Sequence, residues 1–284
     1  SLDWHLPCDE NWNEKWPAEW TVDWDRMLPR VPEGVRLHVF DYGDKTPISS
    51  HNFEHHGGRV AINSGRYDML LYNNDTEGII FENMHAVNEA VATTRTRTRS
   101  ASYSNKYPDE LTANVPDMLF AAFLSEQELV KNEDGETTYA RMKVELAPRT
   151  WTYLIRYEFI SGREYVSEAR AYLSGMAGKV SLKDGHTDND KAVTLLLNCY
   201  TCDYGVETIA RSFGQSETAA THKLVLELKL MSGKVKMVEF DVTDQVSRQP
   251  QGGVIVVNGI VVTPEEGERP GGSGFDGDVN DWEA

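Results

Sequence analysis

The stretch Lys223-Leu-Val-Leu-Glu-Leu-Lys-Leu-Met-Ser-Gly-Lys-Val-Lys-Met-Val-Glu-Phe-Asp-Val242 decides the fold class. Lys223 to Met231 and Lys234 to Val242 read as two strands, with Ser232 and Gly233 between them as a two-residue hairpin turn, because glycine enters the positive-φ region without steric cost. Working outward, the period of two recurs. Thr138 to Leu146 sets Ala140, Met142, Val144 and Leu146 against Tyr139, Arg141, Lys143 and Glu145. Trp151 to Phe159 places Trp151, Tyr153, Ile155, Tyr157 and Phe159 on one side, as a half-buried antiparallel strand requires. Val35 to Tyr42 alternates in the same way before the Gly43, Asp44 turn, and Arg66 to Tyr72 does so before Asn73, Asn74 and Asp75. Tyr165 to Leu173, Ala192 to Tyr200 and Gly253 to Val262 complete the series. Trp20 to Trp24 reads as the first strand, since Pro17 interrupts any helix across the tryptophan-rich start.

One segment departs from this rule. Val115 to Val130 carries Phe120, Phe123, Leu124 and Leu129 near helical spacing, with Pro116 suited to a first turn, so a single short helix is expected there. Many short strands at regular intervals still specify an all-β fold of two sandwiches. The 284 residues fit two domains, since single cores rarely grow beyond about 250 to 300 residues. The boundary is expected where Pro148 ends a strand run, giving domains 1–147 and 148–284.

Composition narrows the function. A formal charge of -17 argues against nucleic acid as partner, because phosphate binding depends on clustered Lys and Arg. No stretch approaches the roughly 18 apolar residues of a membrane helix. Ser1 is followed at once by charged and aromatic residues, so no signal peptide is read, and the chain is expected to be either cytosolic or a mature secreted product. Cys8, Cys199 and Cys202 are too few for a disulfide scaffold and leave at least one thiol unpaired.

The motifs that would carry chemistry fail on physical grounds. His51, His55 and His56 share a loop with Glu54, but adjacent histidines point different ways, which favours a solvated loop over zinc. Cys199 and Cys202 form C-x-x-C at the end of a strand, where no helix N-terminus lowers a thiol pKa, so buried or incidental thiols are expected. Gly272 to Gly277 matches G-x-G-x-x-G without the strand and helix that a pyrophosphate site needs. Asp276, Asp278, Asn280 and Asp281 alternate like a calcium loop but lack its glycine and its closing glutamate. With 45 acidic residues, nominating any two as a glycosidase pair carries no weight. Neither catalysis nor a cofactor is expected. Arg95, Arg97 and Arg99, alternating with threonine, read as a charged edge strand, which discourages aggregation.

Four stretches together resemble one family: Arg66 to Asp75, Trp151 to Phe159, Leu173-Ser-Gly-Met-Ala-Gly-Lys-Val180, and Glu239 to Gln245. With the ending Gly274-Phe-Asp-Gly-Asp-Val-Asn-Asp-Trp282, they are similar to the fimbrillin-like lipoproteins of Bacteroidales, allied to minor and anchoring fimbrial subunits, from about Val22 to Trp282. The resemblance implies tandem transthyretin-like sandwiches, a non-enzymatic role in fimbrial assembly or adhesion, and other fimbrial subunits as partners. It also implies export to the outer membrane through a lipidated cysteine that is absent from this chain. Relatives are thought to polymerise by strand exchange, a form of β-augmentation. On that model Phe275, Val279 and Trp282 are donor positions, and Arg26 and Arg30 are cleavage points for an Arg-specific protease. The alternative is a carbohydrate-binding module using exposed tryptophans among Trp4, Trp12, Trp16, Trp20 and Trp24.

Overall fold

The computed structural model describes residues 1–4, 30–43, 46–98, 107, 109–131, 140–187 and 192–269. Among these, nineteen strands run in chain order. They are β1 (Leu2–Trp4), β2 (Gly34–Asp41), β3 (Pro47–Glu54), β4 (Gly65–Asn73), β5 (Ile79–Glu82), β6 (Val91–Thr94), β7 (Thr96–Thr98), β8 (Leu111–Asn114) and β9 (Phe120–Leu129). There follow β10 (Val144–Pro148), β11 (Trp151–Ser161), β12 (Val166–Met176), β13 (Lys179–Ser181), β14 (Val193–Asn198), β15 (Tyr200–Cys202), β16 (Gly205–Ser212), β17 (Lys223–Leu230), β18 (Val235–Asp241) and β19 (Gly253–Val261). Two short helices, α1 (Thr243–Ser247) and α2 (Pro264–Gly267), flank β19. The all-β expectation holds.

The hairpin that decides the class is present, with one change. Leu230 N–H donates to Lys234 O and Gly233 N–H to Leu230 O, each at 2.9 Å. The loop is therefore three residues, Met231 to Gly233, and Gly233 supplies the left-handed position at φ 83° that such a loop needs. In β17 the leucines 224, 226, 228 and 230 are at most 2% exposed. At about 1.5 to 3 kcal/mol for each buried leucine, this row stabilises by roughly 6 to 12 kcal/mol before chain entropy is charged against it. They face Tyr153, Ile155 and Tyr157 of β11 and Ile255 and Val257 of β19 across one core. The two sheets of this sandwich are β15-β16-β11-β19 and β18-β17-β12-β14-β8-β7.

A second sandwich packs the sheet β1-β10-β9-β4-β2-β3 on the three strands β13-β6-β5. Phe40, Leu70, Tyr72 and Ala121 meet Ile79, Ala92 and Val180 in its core. The other face of the large sheet is also buried, through Val35, Leu37, Val39, Met69, Leu71, Val144 and Leu146. A sheet covered on both faces loses the clean alternation of a half-buried one.

That double burial explains the main correction. The expected helix over Val115 to Val130 is instead β9, a central strand paired with β4 and β10. Phe120, Ala121 and Ala122 are consecutive and buried because their neighbours lie on opposite faces, and a continuous apolar run satisfies i, i+3, i+4 by default. Pro116 lies in the irregular segment between β8 and β9 rather than in a first helical turn. The expected first strand at Trp20 to Trp24 lies outside the described residues.

The sandwiches exchange elements. β8, from the first half of the chain, pairs in parallel with β14 (Thr194↔Thr112), and β13, from the second half, pairs with β6 (Val180↔Ala92). Where the chain passes between the sandwiches, Arg149 is buried and its guanidinium donates to Leu182 O, Pro148 O and Lys183 O at 3.3 to 3.4 Å.

Candidate assembly site at the sheet edge

Sheet edges are where an all-β protein can take up another chain, because one row of backbone donors and acceptors there has no partner strand. The edge of the large sheet is closed by the first residues of the chain. Ser1 N donates to Met142 O at 2.8 Å and Val144 N–H to Ser1 O at 3.0 Å. β1 then runs parallel to β10 with Leu2↔Val144, Asp3↔Glu145 and Trp4↔Leu146. Lys143 Nζ and Asp3 Oδ2 pair at 2.6 Å, and this hydrogen bond holds the Lys143 ammonium above its ordinary pKa.

Three rungs are a small hold. Parallel rungs are slightly weaker than antiparallel ones. At the opposite edge β3 carries seven register pairs with β2. Beneath β1, Val144 and Leu146 are buried, so release of β1 would leave a pre-formed, apolar-backed row of backbone groups on β10. Sequence reasoning missed this strand, since three residues show no period.

Of the residues expected to act in strand exchange, only Arg30 falls within the described residues. It is exposed, its N–H donates to Met118 Sδ at 3.3 Å, and three residues later Glu33 N–H donates to Asp75 Oδ2 at 2.8 Å. Arg26, Phe275, Val279 and Trp282 lie outside the described residues, as do Cys8, Trp12, Trp16, Trp20, Trp24, the Gly-rich match at Gly272 to Gly277 and the acidic tail. Trp4 lies in β1.

The remaining sequence features fall apart in space. His51 lies on β3 with Nε2 3.1 Å from Ser49 Oγ. His55 and His56 follow β3 in a turn, edge to face at 5.2 Å, and His56 lies 3.6 Å from Glu54. Cys199 sits between β14 and β15 against the core, where burial pushes its thiol well above the usual range, and burial also raises Cys202. The Thr-Arg repeat is split: β6 ends at Thr94 in the three-stranded sheet, and Thr96–Thr98 forms β7, an edge of the six-stranded sheet of the other sandwich.

Two surface grooves among the described residues bear on the chemistry. One, of about 530 Å³, is lined by Arg66, Ser125, Glu126 and Glu128 at a bulge where Glu126 adopts φ 58°. Asp68 accepts from Ser125 Oγ at 3.1 Å and from Glu126 N–H at 2.8 Å, Arg66 pairs with Glu126, and its guanidinium lies 4.4 Å from the Tyr42 ring. The other, of about 180 Å³, is polar, and in it Thr194 Oγ1 donates to Glu110 Oε1 at 2.5 Å. Ser125 donates to a carboxylate in an open groove where Arg66 stands against Asp68, Glu126 and Glu128, an arrangement that stabilises the bulge.

The fold has relatives among solved structures. A "putative adhesin" from Bacteroides ovatus ATCC 8483 superimposes with a TM-score of 0.63 at 19% identity, covering 88% of this chain and 91% of the other. A second "putative adhesin" from Bacteroides ovatus gives 0.54 at 9% identity, over 84% and 83%. No curated protein matches the chain. Residues 15–198 match the model of a family described as a domain of unknown function, DUF5119, which spans more than half of the sequence. The chain belongs to the DUF5119 family.

Proposed function

We propose that this chain is a non-enzymatic protein of the bacterial surface that takes part in fimbria-associated adhesion. The observation that carries the reading is the likeness of fold, over 88% of the chain, to the Bacteroides ovatus "putative adhesin". The fimbrillin-like motifs at Arg66 to Asp75, Leu173 to Val180 and Glu239 to Gln245 support the fimbrial part of it.

On this reading the chain folds as two transthyretin-like sandwiches, 1–147 and 148–284, that lend each other β7, β8 and β13. It is exported and held at the outer membrane by a lipid on a cysteine ahead of Ser1. Assembly uses the β10 edge. Cleavage at Arg26 or Arg30 separates β1 from the body, and the freed edge takes an extended segment from a neighbouring subunit, with Phe275, Val279 and Trp282 as the donor side chains. Backbone hydrogen bonds would supply the affinity, and pockets for alternate side chains the specificity.

The test is to follow the full-length gene product in the bacterium that encodes it, by surface proteolysis of intact cells and by immunogold labelling of purified fimbriae. The expected result is labelling on fimbriae and weaker adhesion in a deletion strain. A protein confined to the cytosol, or a deletion that leaves both fimbriae and adhesion unchanged, would overturn the proposal.

A further inference from the structure

Among the described residues the four-stranded sheet ends at β19, which pairs with β11 on one side only. On its other side the backbone is occupied by two side chains of the preceding segment. Gln245 Nε2 donates to Val256 O and Val256 N–H donates to Gln245 Oε1, both at 2.8 Å. Gln249 Nε2 donates to Val254 O at 2.7 Å and Val254 N–H to Gln249 Oε1 at 2.8 Å. Each primary amide thus makes the reciprocal pair of bonds that an opposing residue makes in an antiparallel ladder.

The spacing makes this possible. Gln245 lies in α1 and Gln249 two residues past its end, where Gln249 N–H donates to Val246 O at 3.0 Å and continues the turn, so the two amides stand about one helical turn apart, near the roughly 6.6 Å between outward-facing residues of a strand. Two glycines set the approach: Gly252 has φ 86° and Gly253 φ 152°. A Cβ on Gly253 would collide with Gln249 Oε1, and one on Gly252 with Thr152 O. Val246, between the two glutamines, is fully buried in the core and anchors the turn. Gln215 Nε2 holds Val246 O at 3.0 Å, and Gln249 Nε2 also donates to Gln245 O at 3.1 Å.

We propose that Gln245 and Gln249 form a two-rung substitute strand that keeps the β19 edge from pairing with the β19 edge of a second copy of this chain. This goes beyond the fimbrial reading and does not rest on it. The second copy is singled out because the closed edge is self-complementary. Val254 and Val256 each direct one donor and one acceptor outward, and a two-fold axis between two β19 strands brings Val254 of each copy opposite Val256 of the other, forming four bonds. The strand begins Gly-Val-Ile-Val-Val, a β-branched run of the kind that pairs readily when exposed. Farther along, Gly259 at φ 84° and register shifts against Phe159 and Ser161 bend the strand, which confines the open stretch to these rungs.

The experiment uses the whole 284-residue chain and the double variant Gln245→Ala/Gln249→Ala, with mass by light scattering across a concentration series and amide exchange resolved at Val254 and Val256. Wild type should keep a constant mass. The folded double variant should move toward twice that mass with concentration, and when dilute its Val254 and Val256 amides should exchange at least tenfold faster. Adding Val256→Pro removes an outward donor and leaves the β11 ladder, served by Ile255 and Val257, in place, so the triple variant should return to the monomer mass. Each single variant exposes only its own rung, which keeps the idea testable if the double variant does not fold. A folded double variant that stays monomeric with unchanged exchange overturns the proposal, and so does association that Val256→Pro fails to reverse.

Discussion

Arg149→Ala should destabilise the whole chain by about 3 kcal/mol. Arg149 is 8% exposed at the passage between the sandwiches, and burial lowers its pKa while Asp184 nearby works the other way. Its guanidinium donates to Leu182 O at 3.3 Å, Pro148 O at 3.3 Å and Lys183 O at 3.4 Å, so it ties the segment after β13 to the end of β10. Arg149 N–H also donates to Leu119 O at 2.7 Å, and the adjacent Thr150 Oγ1 accepts Leu119 N–H at 3.0 Å. Charge-assisted hydrogen bonds contribute about 1.5 to 3 kcal/mol each, and these are long, so about 1 kcal/mol for each of three is the working figure. With a urea slope of about 3 kcal/mol/M, the midpoint should fall by about 1 M. The assay is equilibrium urea unfolding followed by far-UV circular dichroism and tryptophan fluorescence, and both probes should shift together, because strands shared between the sandwiches couple their unfolding. Arg149→Lys should recover only part of the loss, since a lysine offers a point charge where a planar fork spans several acceptors. A midpoint shift below about 0.2 M, worth roughly 0.5 kcal/mol, would refute the reasoning, as would movement of one probe alone.

Two other perturbations follow from buried groups. His38, held between Ser50 Oγ at 2.7 Å and Tyr72 OH at 3.0 Å, has its pKa lowered by burial and then by Arg36; His222, which donates to Ser174 O at 3.2 Å, is lowered by burial. The unfolded chain therefore binds these protons first, so the stability is present above about pH 6.5 and lost as pH falls through the depressed folded values, by at most about 1.4 kcal/mol per pH unit for each histidine. Urea midpoints between pH 5 and 8 should show that slope and lose part of it in His38→Gln and His222→Gln. Gly162→Ala should lower stability well beyond Gly233→Ala in thermal unfolding: both positions are left-handed, at φ 86° and 83°, but a Cβ at Gly162 would run into Val262 O, whereas one at Gly233 meets nothing within 4 Å. Left-handed strain alone costs about 1 to 2 kcal/mol, so equal losses would show that the Val262 contact relaxes freely.

How much was legible depended on where each strand lies. β17 and β18 could be read from apolar runs broken by Ser232-Gly233, and β11 from its alternating aromatics, because polar residues such as Thr152, Arg156, Glu158, Glu227 and Lys229 hold the alternate positions even where burial is continuous. β9 could not be read as a strand, since Phe120 to Ala122 are buried on both faces and burial on both faces erases the period. β1 gives no signal at three residues; its place comes from Met142 and Val144, more than 130 positions away.

Local pattern along the chain is enough to make it all-β, to place about half of its strands, and to show motifs that resemble the fimbrillin-like proteins. The first two follow from local periodicity and turn chemistry, the third from similarity of motifs. Tertiary structure alone decided which strands neighbour one another: that β8 leaves the first half for the sheet of β14, that β13 returns to β6, that β1 closes the β10 edge, and that Gln245 and Gln249 close the β19 edge. A backbone donor or acceptor is the same in every residue, so its partner is chosen by which surfaces come together when the cores are buried, and that choice leaves no local mark on the chain.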